Sequence, residues 1–228
     1  MKKILWLLIL CMLSTSCGEF FTFEEEPDEW EGITMCAAND SSWVMVGDSL
    51  PLEVQFTPYN PNESPVFWML TPTDAAKLVS DTLIALSPGK AELKVVNSIG
   101  SLTDTCRVRV MERWVIDDFS LLKPSDMVIY ANIAVDGAPW NDESMIVGAF
   151  ISDELSGLAV KRQAFGIDYA EIRIWADTDQ MAGKVKLRCF DRLNHRLYVS
   201  TEDIEYDAYT TLGTLSNLYP ININTLLF

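Results

Sequence analysis

The chain has 228 residues, of which 17 are basic and 33 acidic, giving a formal charge of −16 with 49% hydrophobic and 11% aromatic side chains. That balance excludes binding to nucleic-acid backbones, and it excludes attachment to anionic lipid through basic side chains. The apolar content is enough for one large or two small cores, so general disorder is excluded too.

Residues 1–16 read as a secretory signal: Lys2 and Lys3, an apolar run over 4–13, then Ser14-Thr15-Ser16 before Cys17. Ten apolar residues in a helix rise only about 15 Å against a hydrocarbon core of about 30 Å, so the run is a signal-peptide core and not a membrane span. The small residues directly before Cys17 resemble the lipobox of Gram-negative bacterial lipoproteins. That resemblance implies cleavage after residue 16 and lipidation at Cys17. The mature chain would keep 15 basic against 33 acidic residues, a formal charge of −18. Its partner would be the membrane, held through acyl chains at about 0.8 kcal/mol per buried methylene. The implied location is the outer membrane at the cell surface, with the periplasmic face as the alternative. Residues 17–32 then make the lipidated cysteine and an acidic tether, with Glu24, Glu25, Glu26, Asp28 and Glu29 around Pro27.

From residue 33 onward, apolar and polar residues alternate with turn signals every eight to twelve residues, which predicts an all-β chain. Leu50, Leu52, Val54 and Phe56 share one face. Strands are expected over 66–70, 83–86, 91–96 and 106–111, with a short helical turn over 74–77 and Trp68 at the centre of the core. Val46-Gly47-Asp48-Ser49, Phe56-Thr57-Pro58, Trp68, Ala85-Leu86, Gly89-Lys90-Ala91-Glu92-Leu93, Val108 and Val110 resemble the bacterial Ig-like group-two domain over residues 33–112. The resemblance implies an Ig-type β-sandwich of the kind found in surface proteins.

A break at Asp117-Asp118 opens a second unit, residues 117–228, in which eight or so strands predict another β-sandwich. Met127, Ile129, Ala131, Ile133 and Val135 form one strand face that ends at Asp136-Gly137. Ile146-Val147-Gly148-Ala149-Phe150-Ile151, followed by Asp153-Glu154-Leu155-Ser156-Gly157-Leu158-Ala159, resembles a C-terminal module of exported bacterial lipoproteins of poorly defined role.

Of the cysteines beyond Cys17, Cys106 alternates with Val108 and Val110 and faces a core, whereas Ile33, Met35 and Ala37 inward turn Cys36 outward. A Cys36–Cys106 bridge and buried thiols are therefore both open. Cys189 alternates with Val185 and Leu187 as a small core residue.

His195 is the only histidine, so no histidine-based metal cluster can form. No Gly-x-Ser-x-Gly elbow is present to pair with it. The chain is read as non-enzymatic, with His195 on the surface and no cofactor. Calcium is the one metal with candidates, Asp177 and Asp179 in one turn and Asn141-Asp142-Glu143 in another.

The sharpest constellation comes from strand parity. With Ala170, Ile172 and Ile174 inward, Tyr169, Glu171, Arg173 and Trp175 face out. With Val185, Leu187 and Cys189 inward, Lys184, Lys186, Arg188 and Phe190 face out. If the two strands pair as a hairpin, these aromatics and cations share one face, and Trp140 stands nearby on a loop. Aromatic faces rimmed by hydrogen-bonding charges suit a sugar ring, and equally suit packing against the Ig-like unit or a protein partner. The expected function is extracellular binding or adhesion, with polysaccharide recognition through Trp140, Tyr169, Arg173, Trp175, Lys186 and Arg188. The alternative is a structural subunit of an envelope complex that covers the same face.

Overall fold

The computed structural model describes residues 32–35, 41–57, 65–116, 125–176 and 183–225. Among them there are nineteen strands and no helix, so the all-β expectation holds. In the first unit the strands are β1 (Gly32–Met35), β2 (Ser41–Met45), β3 (Ser49–Pro51), β4 (Val54–Thr57), β5 (Val66–Thr71), β6 (Ala76–Val79), β7 (Thr82–Ala85), β8 (Gly89–Asn97) and β9 (Thr103–Met111). In the second they are β10 (Ser125–Val135), β11 (Ala138–Pro139), β12 (Met145–Ile151), β13 (Glu154–Ala164), β14 (Ile167–Ala176), β15 (Lys184–Asp191), β16 (Arg196–Ser200), β17 (Ile204–Glu205), β18 (Thr211–Leu212) and β19 (Tyr219–Thr225).

The first unit has a four-stranded sheet in the order β2-β9-β8-β5, a three-stranded sheet β3-β7-β6, and the pair β1-β4. Its core holds Phe56, Leu83, Leu93, Val95 and Val108, all essentially without solvent contact. Burial of such side chains stabilises by about 1.5–3 kcal/mol each. β2 runs parallel to β9, the last strand of the unit. Two local expectations change. Ala76 is fully buried and pairs with Ala85, which makes residues 76–79 a strand where a helical turn was expected. Trp68 is not the central aromatic: it lies on the edge strand β5, is only half-buried, and its indole N–H donates to Asp81 Oδ1 at 3.0 Å.

The second unit is all-β as expected, but its strands form one continuous sheet and not the two facing sheets of a sandwich. Its order β10-β14-β13-β12-β15-β16-β19 returns to β10 through a parallel β19–β10 pairing, so seven strands close around one core. The inward set along three strands is the one the alternation predicts, Ile129, Ala131 and Ile133, Ala170, Ile172 and Ile174, and Val185, Leu187 and Cys189, and Val147 and Ala149 of β12 join them. Closure removes the open edges that a flat sheet exposes. β13 and β14 stand next to each other, but β15 is reached only through β12, so the hairpin of β14 with β15 does not exist.

Three two-residue turns build the wall, Asp136-Gly137, Ser152-Asp153 and Phe165-Gly166, each with positive φ at both positions. Such turns match the right-handed twist of the strands they join. Gly157 permits a close crossing, because a Cβ there would run into the Arg173 carbonyl.

β12 is apolar on both faces for a reason visible only in three dimensions. Val147, Ala149 and Ile151 fill the barrel, while Phe150 points out to meet the first unit. There Met45, Trp114, Phe150, Phe190 and Leu197 form a separate buried cluster, with Trp114 edge-on to Phe150 at 5.1 Å. Phe190, expected on an exposed face, is 1% exposed in this junction.

Candidate functional site

β10 and β14 pair from Ser125↔Ala176 to Ala131↔Ala170 and then separate. Beyond that point β10 pairs with β19 and with the short β11, while β14 continues with β13 alone as a two-stranded arm out to Ala164↔Ile167. The divergence opens a groove of about 530 Å³. That lies within the range of about 300–1,000 Å³ usual for small-molecule sites.

One wall is the arm, with Lys161, Arg162, Gln163, Asp168 and Tyr169. The other carries Asn132, Pro139, Trp140 and Asn141. Gln163 Nε2 donates to Asp168 Oδ1 at 2.8 Å across the arm. Tyr169 stands edge-on to Tyr130 at 5.7 Å between centroids, which fixes its ring on the outer face.

Trp140 lines this groove from the loop after β11, as expected, but it is buried and not displayed. It is 9% exposed, its indole N–H donates to Met145 O at 3.2 Å, and Lys161 Nζ lies 4.7 Å from its ring centroid. Trp140 is therefore a floor held in place, and Tyr169 is the more accessible ring. Lys161 is positioned by donating to Asp142 O at 2.9 Å. Asp142 itself accepts from Ser144 N at 2.7 Å, and this backbone hydrogen bond leads the causes that hold its carboxyl below the usual aspartate range. That geometry makes 141–144 a turn organised by its own side chain.

The expected residues are divided between two places. Tyr169, Arg173 and Trp175 do share the outer face of β14, beside Tyr130 and Arg162 on its neighbours. Arg173 bonds Glu171 at 3.1 Å and approaches Asp126 at 3.9 Å, and Arg162 reaches Glu171 at 3.5 Å. Such exposed pairs contribute roughly 0–1 kcal/mol each and act mainly to order the face. Trp175 lies six residues from Tyr169, roughly 20 Å along the strand, and does not line the groove.

Lys186 and Arg188 stand elsewhere. They line a second, wider groove of about 1060 Å³ between the two units, with Trp43, Arg109, Arg113 and Trp114. Arg188 lies over the Phe150 ring at 4.5 Å and is paired with Asp153, and Lys186 reaches Asp203 at 3.6 Å. These cations are held by second-unit partners beside the junction and do not rim the aromatic face of β14.

His195 also belongs to the junction. Its backbone carbonyl accepts from Trp43 N at 3.0 Å, and its ring is half-buried with Nδ1 lacking a hydrogen-bond partner. Burial holds the imidazole below the usual histidine range, against opposing effects of a backbone hydrogen bond at Trp43 and the charges of Asp191 and Asp48. It is thus an interface residue and not a free surface histidine.

Cys106 and Cys189 face their cores as expected, and burial pushes the Cys189 thiol up to about 12. Cys17, Cys36, Asp177 and Asp179 lie outside the described residues. Among the described residues no three histidine, cysteine or acidic side chains converge as a metal site.

No protein-family model matches the chain, and no curated protein matches it. Among solved structures, domains 1–6 of the surface layer protein SbsC align at 14% identity over 78% of this chain and 26% of that one, with a TM-score of 0.33. Domains 5–6 of the same S-layer protein align at 12% identity over 80% and 99%, with a TM-score of 0.32. The N-terminal four Ig domains of Dscam1 isoform 1.9 align at 10% identity over 80% and 53%, with a TM-score of 0.27. The chain spans about a quarter of the first of these.

Proposed function

We propose that this chain is a non-catalytic binding protein of the cell surface, anchored through Cys17, whose second unit holds a saccharide in the groove between β10–β11 and the β13–β14 arm. The observation that carries this reading is the groove itself. A cleft of about 530 Å³ places the rings of Trp140 and Tyr169 among Asn132, Arg162, Gln163 and Asp168. A pyranose has an apolar C–H face and a polar rim, and an aromatic ring beside amide, carboxylate and guanidinium groups answers both. The first unit, which lies between residue 32 and the second unit along the chain, would hold this groove away from the membrane.

The test is a glycan array probed with the soluble fragment 18–228, followed by titration of Tyr169→Ala. Truncating the accessible ring should weaken glycan binding by roughly 1–3 kcal/mol with little change in melting temperature. Binding of a neutral sugar should vary little with ionic strength, because no charge pair is screened. Unchanged affinity in Tyr169→Ala would remove the groove from the function. Anchoring is checked separately by mass spectrometry of the mature N-terminus, where Cys17→Ala should abolish acylation and membrane retention.

A second reading, as a subunit of an envelope complex, draws on β5. This strand exposes Phe67 and Met69, at 61% and 46%, and among the described residues its outer edge pairs with no strand. A partner strand could add there.

A further inference from the structure

The arm that walls the groove ends in Phe165-Gly166, and Phe165 is 96% exposed with a φ of 52°. A left-handed backbone is unfavourable for a bulky side chain, and turns of this type favour Asn, Asp or Gly at that position. The same barrel uses Asp136 and Ser152 at the equivalent position of its other two turns. Phe165 therefore neither eases its turn nor packs into the fold. A strained, fully exposed aromatic is explained by something it touches outside the chain.

Its surroundings say where that contact lies. The arm is stiffened by the Gln163–Asp168 hydrogen bond and by Lys161 donating to Asp142 O. Ile167, which is 38% exposed, shares the outward parity of Tyr169 and continues the apolar surface toward the tip. From Tyr169 to the tip is three residues, roughly 10 Å at strand spacing. That is farther than one sugar ring extends.

We propose that Phe165 is a second stacking platform of the groove, so that the site takes an extended chain of sugar rings and not a single terminal residue. This rests on the saccharide reading above. One ring sits against Tyr169 over the Trp140 floor, and a later ring of the same chain lies against Phe165.

The experiment uses neutral cello-, manno- and xylo-oligosaccharides from the monosaccharide to the hexasaccharide, titrated by calorimetry against the soluble chain. Affinity of the wild type should rise with length. Phe165→Ala should flatten that rise, losing about tenfold on the hexasaccharide and nothing on the shortest binder. Phe165→Asn is the control for folding, because Asn suits the turn. It should melt no lower than the wild type yet bind the hexasaccharide as weakly as Phe165→Ala. Tyr169→Ala should lose binding at every length. If both Phe165 variants keep wild-type affinity for the hexasaccharide while Tyr169→Ala loses it, the platform is overturned and the groove reading stands. If none of the three series binds at any length, both fall. Wild-type protein that binds neutral phosphatidylcholine vesicles and is released by Phe165→Asn would also overturn the proposal, assigning the tip to a lipid interface.

Discussion

The Asp191 carboxylate is buried and accepts three hydrogen bonds, from Leu193 N at 2.9 Å, Asn194 N at 3.0 Å and Asn194 Nδ2 at 2.7 Å. It closes the β15–β16 turn that carries His195 and Leu197 to the first unit. Asp191→Ala leaves two backbone donors without their acceptor and should destabilise the chain by about 1–3 kcal/mol in urea denaturation. Asp191→Asn keeps an oxygen toward both backbone donors and should recover most of that loss. A wild-type midpoint in Asp191→Ala would show that water replaces the carboxylate freely. At this scale the sequence was legible where alternation decides: Ala170, Ile172 and Ile174 point in, and Tyr169 and Arg173 point out. It was silent on Lys161, Gln163 and Asp168, which form no pattern until the arm separates from β10. Gly166, between two strand-like runs, is the local feature from which the turn of the arm could have been read.

β13 runs over Glu154–Ala164, longer than its local apolar pattern suggests. Residues 160–163 are exposed one after another because the arm has solvent on both faces, so no period of two survives there. Gly157 sits where β13 crosses closest to β14. In Gly157→Ala the new methyl meets backbone at Arg173, which cannot rotate away as a side chain end can. The strands must part, at a cost of about 1–3 kcal/mol typical of overpacking. The expected readout is a lowered melting temperature together with faster amide exchange in 159–164, the segment that walls the groove. Unaltered exchange there would mean the crossing is looser than its geometry indicates. Trp68 carries the same lesson in the first unit. Its strand is recognisable from local pattern, but its place at the edge, which leaves the ring half-buried against Asp81, is set by which strands lie beside it.

The two units meet through an apolar cluster, the Trp43–His195 backbone bond and the Asp48–Arg192 pair at 3.2 Å. Protonation of His195 should loosen this junction. The docked imidazole has its pKa lowered, chiefly by burial, so the undocked or unfolded form binds a proton at higher pH. Docking is therefore fully favoured above the free histidine value of about 6.5 and is lost as pH falls through the lower docked value. Trp fluorescence and small-angle scattering between about pH 7 and 5 should report the separation, and His195→Gln should remove the transition from that window. A wild-type junction that stays closed down to the carboxylate range, near pH 4, would show that burial at His195 does not depend on docking. By itself the sequence determined that the chain is all-β and, along β10, β14 and β15, which side chains alternate into the core, because a period of two is local and needs no partner to be read. Only the tertiary structure decided that the second sheet closes on itself, that β15 stands apart from β14, and that Lys186 and Arg188 line the groove between the units while Tyr169 and Trp140 line another. Strand order and closure come from many weak cross-strand pairs between distant residues, each of about 0.2–1 kcal/mol, and no single stretch of sequence contains them.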